Sequence, residues 1–292
     1  MASPTPTPNG APMRVLITGA ASGLGLELAL VYARRGAEVL LTDQNDAALS
    51  DAKTKVGEAA PDASRIHALL LDITDEDDWA AAREWVAEIF GGLDLLVNNA
   101  GVATGGRIDY TTIEEWDWVI GINLRGQILG AHTFVPMLKE QGSGQLLFTA
   151  SLAAIVTPPT MASYNVTKAG VLALGETLRA ELKPYGITTT VACPNFFKTN
   201  LASSLRTSDP MVAPLIEKLV SGSDTPADVI AARIVKGVDK GVAIVTPDRL
   251  GTAADLIRRH VPWYYRRKTL EAATKFKERA DKFTGAGKST AV

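Results

Sequence analysis

The chain has 292 residues, 46% of them apolar and 21% charged, with 30 Lys and Arg against 32 Asp and Glu for a formal charge of -2. That much apolar surface excludes disorder over the whole length, and the near-neutral balance supplies no field for nucleic acid, which is not expected as a partner. The single cysteine, Cys193, cannot close an internal disulfide, and with His67, His132 and His260 far apart it forms no zinc-ligand spacing, so no metal is expected.

Residues 1–12 carry Pro4, Pro6, Pro8 and Pro12 among small polar residues and read as a flexible tail. They lack the basic start and apolar run of a signal peptide, which makes the cytoplasm the expected compartment. Met13–Thr18 is then a short apolar run, a strand. The segment Thr18-Gly19-Ala20-Ala21-Ser22-Gly23-Leu24-Gly25 joins it to a helix on which Leu24, Leu28, Val31 and Tyr32 share a face. Gly19 permits a tight turn, Gly23 lets a diphosphate approach the backbone, and Gly25 lets helix and strand pack closely. A plain strand-to-helix turn is the competing reading; the placement between an apolar strand and an amphipathic helix favours nucleotide binding.

The second strand, Glu38–Thr42, is followed by Asp43, 24 residues after Gly19. A carboxylate there accepts hydrogen bonds from ribose hydroxyls and repels a 2′-phosphate, which favours NAD over NADP. The alternative is that Asp43 caps the next helix. A third strand, His67–Leu71, ends at Asp72-Ile73, which either touches an adenine or caps a helix. Thr74-Asp75-Glu76-Asp77 supplies a cap and negative charge for the helix bearing Trp79, Ala82, Val86 and Phe90. Gly36, Gly91 and Gly186 mark expected helix ends.

The fourth strand, Leu93–Asn98, runs into Asn98-Asn99-Ala100-Gly101, whose small Ala-Gly pair leaves room for the adenosine side of a dinucleotide while Asn98 braces neighbouring backbone. Asn123 falls within a helical pattern over 112–138, where asparagine is disfavoured; a satisfied buried amide is the bland reading. The fifth strand, Gln145–Thr149, leads to Ser151. The uncharged stretch between Glu140 and Lys168 contains Pro158 and Pro159 and makes a poor membrane span.

Tyr164 and Lys168 are four apart at the head of a helix that continues through Val171, Leu174, Leu178 and Leu182, and so share a face. A free tyrosine titrates near pH ~10; an adjacent ammonium favours the phenolate and moves it toward neutrality. Alone the pair is no more than surface decoration. Ser151, 13 residues earlier at a strand end, puts it at the rim where open parallel sheets bind ligands. Further strands at Thr188–Ala192 and Val242–Thr246 bring the total to seven, alternating with about six helices: an α/β chain with a doubly wound parallel sheet.

Thr18–Gly25, Asn98-Asn99-Ala100-Gly101, Asn123, Ser151, Tyr164, Lys168 and Pro194…Thr199, in this order, resemble the classical short-chain dehydrogenase/reductase family over residues 13–250. The resemblance implies one Rossmann-type domain, with Tyr164 as general acid/base and Lys168 binding the nicotinamide ribose and lowering the phenol's pKa. Ser151 would hold the substrate oxygen and Asn123 a water. Gly19, Ser22, Gly23, Leu24, Gly25, Asp43, Asp72, Ile73, Asn99, Ala100, Gly101, Tyr164, Lys168, Pro194 and Thr199 would bind the cofactor, Thr199 at the carboxamide. It also implies a homodimer or homotetramer. The chain departs from the family at Asn195, where glycine is usual; asparagine tolerates positive φ.

The expected function is hydride transfer between NAD(H) and a secondary alcohol or ketone. A lyase or epimerase with recycled NAD and a non-catalytic nucleotide-binding protein are the alternatives. Apolar rim loops at Pro158–Met161, Phe196-Phe197 and Met211–Leu215 suit a bulky apolar substrate, unless they serve only to pack the loops. Residues 251–284 read as a basic, aromatic helical extension, with nine Lys and Arg against three acids between Leu256 and Phe283 and Trp263-Tyr264-Tyr265 among them. It presents either a solvated face with aromatics docked on the core or a partner subunit, or a peripheral membrane contact through 256–283. A flexible tail is expected at 285–292.

Overall fold

The structure, a computed structural model, describes residues 11–195, 197, 204–214 and 225–289, with side chains to Asp281. Seven strands form one parallel sheet in the order β3-β2-β1-β4-β5-β6-β7. They are β1 (Arg14–Thr18), β2 (Glu38–Asp43), β3 (Ile66–Leu70), β4 (Leu95–Asn98), β5 (Gly144–Thr149), β6 (Ile187–Ala192) and β7 (Ile244–Val245). The strands are apolar on both faces because both faces are covered. In β1, Val15 and Ile17 pack under α1 (Gly23–Arg34), α2 (Asp46–Ala59) and α8 (Ala227–Asp239). Leu16 faces the other way, into a core with Trp79 of α3 (Glu76–Trp85), Phe134 of α5 (Gly126–Gln141) and Val171 of α7 (Ala162–Leu182). Phe134 is fully buried; removing such a ring costs about 3–5 kcal/mol.

The chain winds outward from β1 to β3, then returns to place β4 on the other side of β1. The reversal leaves a crevice beyond the carboxyl ends of β1 and β4. Gly36, Gly91 and Gly186 take positive φ values of 78°, 66° and 73° at helix ends, where the sequence puts them.

Three differences from expectation have local causes. The seventh strand is two residues, not five: the Val242 N–H turns back to the Gly237 carbonyl, and Pro247 follows Thr246, so only Ile244 and Val245 stand in register with β6. The helical pattern over 112–138 is interrupted. α4 (Ile113–Ile120), opened by a capping box between Thr112 and Glu115, gives way to a π turn at Gly121–Arg125 before α5. At the other end of the chain, α9 (Arg249–His260) is followed by α10 (Pro262–Ser289), whose backbone stays helical five residues into the segment expected to be a flexible tail. Tyr265, Thr269, Ala273, Phe276 and Ala280 form the less exposed stripe of α10. The Tyr265 hydroxyl donates to the Val156 carbonyl at the end of α6 (Ala153–Val156), and Phe276 packs against Ala153, Met161, Tyr164 and Val212.

Candidate active site

A cavity of about 520 Å³ occupies the crevice. On its β1 side the glycine loop is held by the loop after β4. Gly19 adopts φ +62°, and a Cβ there would lie 2.9 Å from the Ala100 Cα. The Thr18 hydroxyl accepts from the N–H groups of Asn99 (2.9 Å) and Ala100 (3.0 Å). Asn99 Nδ2 donates to the Thr18 carbonyl at 3.0 Å, and its Oδ1 accepts from the Thr149 hydroxyl at 3.3 Å, which ties β1, β4 and β5 together at the rim. The bracing expected of Asn98 is thus done by Asn99. Strand alternation turns Asn98 into the core beside Trp79 and Gly130, where its Nδ2 finds no partner among the described residues.

Ser22 occupies the N-cap of α1 in extended conformation without a side-chain capping bond. The first turn of the helix therefore keeps its N–H groups and positive dipole end for an anion. Asp43 lines the same wall. Its Oδ2 accepts from Ala21 N at 3.2 Å and its Oδ1 from Asn45 N at 3.1 Å. Asn45, not Asp43, caps α2. Asp72 likewise leaves the capping to Asp75; it accepts from the Thr74 N–H and hydroxyl, both at 2.8 Å.

On the β5 side, Ser151 follows the strand and accepts from Ala153 N at 3.1 Å. Tyr164, in the first turn of α7, is 7% exposed, and Lys168, one turn on, 3%. They are no surface pair. Burial pushes the Tyr164 phenol up to about 12, and the neighbouring Ser151 side chain alone offsets this only in part. Lys168 is itself pushed down to about 8 by burial, which weakens its hold on a proton. Its ammonium donates to the Thr149 carbonyl at 3.0 Å, and Gln127 Nε2 donates to the same oxygen at 3.2 Å. Gln127 was missed in the sequence; its signal is a buried amide in an otherwise apolar helical stretch.

Asn123, carried inward by the π turn, spends both ends of its amide on Val102: Oδ1 accepts from the N–H at 2.8 Å, and Nδ2 donates to the carbonyl at 3.0 Å. It stands behind Gly101, which it shares with Lys168 Nζ, and is not part of the cavity wall. Gly25 is also off the wall. A Cβ there would sit 2.1 Å from the Gly19 carbonyl oxygen, so this glycine is what lets α1 close onto the loop. Gly19, Ser22, Gly23, Leu24, Asp43, Asp72, Ile73, Asn99, Ala100, Gly101, Ser151, Tyr164, Lys168 and Pro194 all line the cavity. Asn195 does so without positive φ, its N–H held by Asp248 Oδ2 at 3.2 Å, so the turn needs no glycine. Thr199, Phe196 and Leu215 lie outside the described residues.

The donor set fits a dinucleotide. It combines a glycine loop, a helix start free of a side-chain cap, a carboxylate for ribose hydroxyls and the small Ala100-Gly101 pair. Among the described lining residues, Lys168 is the one cation. Among the described residues, no group of His, Cys, Asp and Glu is arranged for a metal, and no helix is long and apolar enough to cross a membrane.

Residues 13–210 match the family model "short chain dehydrogenase". The "Probable oxidoreductase EphD" of Mycobacterium tuberculosis is 34% identical over 191 residues, 65% of this chain and 32% of that protein. The chain thus matches only about a third of the length of this relative. Among solved structures, a short chain dehydrogenase/reductase from Burkholderia phymatum in complex with NAD superposes with a TM-score of 0.80 at 26% identity, covering 85% of this chain and 93% of that one. A short-chain dehydrogenase from Sphingobium yanoikuyae in complex with NADPH gives 0.71 at 25%, covering 89% and 95%. The chain belongs to the short-chain dehydrogenase family, with its Rossmann-type fold and nicotinamide-cofactor site.

Proposed function

We propose that the protein transfers a hydride between NAD(H) and a secondary alcohol or its ketone, of a bulky apolar kind. The observation that carries this reading is that Ser151, Tyr164 and Lys168 line the same cavity as the glycine loop. A substrate oxygen between the Ser151 and Tyr164 hydroxyls has a donor in Ser151 and a proton acceptor in Tyr164, whose phenolate the Lys168 ammonium and the positive charge of an oxidised nicotinamide would favour against burial. In oxidation Tyr164 takes the hydroxyl proton while Ser151 Oγ stabilises the developing alkoxide; in reduction Tyr164 returns the proton. The nicotinamide, when bound, takes up or delivers the hydride. Lys168, fixed by the Thr149 carbonyl, presents its ammonium to the nicotinamide ribose and to the phenolate.

NAD rather than NADP is supported by Asp43 on the wall and by the lack of an arginine among the described lining residues. A 2′-phosphate beside this carboxylate meets repulsion and no compensating cation. The apolar substrate is supported by Leu152, Val156, Pro158 and Met161, which line the cavity and lie close to Ser151 and Tyr164 in the chain. Val212 is instead buried beneath the site. Titration with NAD and NADP, followed by a panel of alcohols and ketones read by NADH fluorescence, tests both halves. Tighter NADP binding overturns the cofactor assignment. A preference for small polyols over ring or lipid-like alcohols overturns the substrate class.

A further inference from the structure

The family match ends at residue 210, and the terminal helices α9 and α10 lie beyond it. Of the fifteen large hydrophobic side chains exposed among the described residues, six cluster here: Leu250, Leu256, Ile257, Trp263, Tyr264 and Leu270. Between Arg249 and Arg279 there are nine Arg and Lys, all exposed, against three acids, while the chain as a whole is net negative. Arg259, Arg267, Lys268 and Lys277 pair with acids in their own helices. Arg249, Arg258, Arg266, Lys275 and Arg279 have no ion-pair partner among the described residues.

The two sides of α10 are spoken for differently. The inward stripe, through Tyr265 and Phe276, is fastened to α6 and to the Met161–Tyr164 wall. The outward side carries a shallow groove between Trp263, Leu270 and Thr274, bordered by Arg266, Arg267 and Lys275 and by two carboxylates, Glu278 and the Glu271 that Arg267 and Lys268 neutralise. Exposed tryptophan and leucine bounded by arginine and lysine are what a helix lying in a lipid headgroup layer requires: the apolar groups enter the acyl boundary and the cations meet lipid phosphates and carboxylates.

We propose that α9 and the outer side of α10 dock on an anionic lipid surface. The charge of the patch selects this occupant. A second copy paired through the same face by two-fold symmetry sets like charge against like. A nucleic acid satisfies the cations but leaves Leu250, Leu256, Trp263 and Leu270 without a partner. Because the inner side of α10 is anchored to α6, docking places the apolar wall of the cleft next to the lipid. The docking itself does not depend on the hydride-transfer reading.

The test is co-sedimentation of the full chain with vesicles of phosphatidylcholine alone or containing phosphatidylserine, over a series of salt concentrations. The expected result is binding to the anionic vesicles alone, released by salt, because an exposed charge contact is screened within about 8–10 Å at moderate ionic strength. Each neutralised cation weakens binding about fivefold, so Arg258→Glu with Arg266→Glu lowers it at least twentyfold or so. Trp263→Ser with Leu270→Ser also lowers it, while both variants keep the wild-type thermal transition by circular dichroism. No pelleting at low salt overturns the proposal, as does equal pelleting with both vesicle types. A wild-type dimer in light scattering that falls apart in Trp263→Ser/Leu270→Ser assigns the face to a second copy instead, and retention of RNA without vesicle binding assigns it to nucleic acid. The salt series on wild type decides the matter even if a variant fails to fold.

Discussion

Lys168 holds its ammonium 5.8 Å from the centre of the Tyr164 ring, one helical turn away, while donating to the Thr149 carbonyl at 3.0 Å. The lysine is thus fixed by the sheet rather than by the tyrosine. Its charge stays within reach of the ring, while burial raises the phenol to about 12 and lowers the ammonium to about 8.

Tyr164→Phe removes the proton acceptor and keeps the ring. Turnover is expected to fall by roughly a hundredfold to ten-thousandfold, the usual worth of a placed acid/base group, with NAD affinity in fluorescence titration unchanged. Near-normal turnover in the variant rules out the assigned role.

Asp43→Ala removes the carboxylate offered to the ribose. Loss of hydrogen bonds to a charged group costs about 1.5–3 kcal/mol, on the order of a tenfold to hundredfold weaker NAD binding. NADP, which gains nothing from this carboxylate, is expected to bind as well as before or better. An unchanged NAD to NADP affinity ratio argues that the ribose is held elsewhere.

Lys168 gives stability a pH signature. Its native value of about 8 lies below the ordinary 10.5, so the unfolded chain holds the proton more tightly between those limits. Stability therefore rises with pH across that window, by roughly 3 kcal/mol at most, and is lost as pH falls through 8. Tyr164 acts oppositely and later: its native value of about 12 exceeds 10, so its contribution is lost as pH rises between them. Denaturant titrations on both sides of pH 8 are expected to show the rise in wild type and not in Lys168→Met. The same rise in both proteins excludes Lys168 as its source.

Gly25→Ala forces a methyl group to within 2.1 Å of the Gly19 carbonyl and 2.7 Å of Asn99 Nδ2. Neither is the free end of a flexible side chain, so α1 must move away from the loop. A loss of about 3 kcal/mol or more is expected from such overpacking, together with loss of cofactor binding. Thermal unfolding at the wild-type temperature contradicts the packing described for this loop.

Much of this was legible in the sequence because it rests on local pattern. The apolar runs gave all seven strands, since a strand covered on both faces has no polar alternation to hide it. Glycine spacing located the phosphate-side loop, and Tyr164, Lys168 and Ser151 fell where a strand end and a helix start meet. What stayed hidden depends on backbone or on the other end of a contact. No residue letter announces that the Thr149 carbonyl will anchor Lys168 and Gln127. The choice between Asn98 and Asn99 turns on which member of the pair points out of the pleat, and the choice between Asp43 and Asn45 as cap on where the helix begins. Whether Asn195 replaces a glycine harmlessly was settled by Asp248, 53 residues further along, which holds its N–H.

The π turn at Gly121–Arg125 carries a liability of its own. Five residues there do what four do elsewhere, and the surplus residue aims Asn123 at Val102. Deleting one of them restores the ordinary four-residue ladder and leaves Gln127, Phe134 and Leu138 on the faces they now occupy, while Asn123 loses the push that aims it at Val102. A deletion scan is therefore expected to find loss of one residue better tolerated for folding here than in α5, where it rotates everything downstream by about 100°, but at the cost of the Asn123–Val102 contacts.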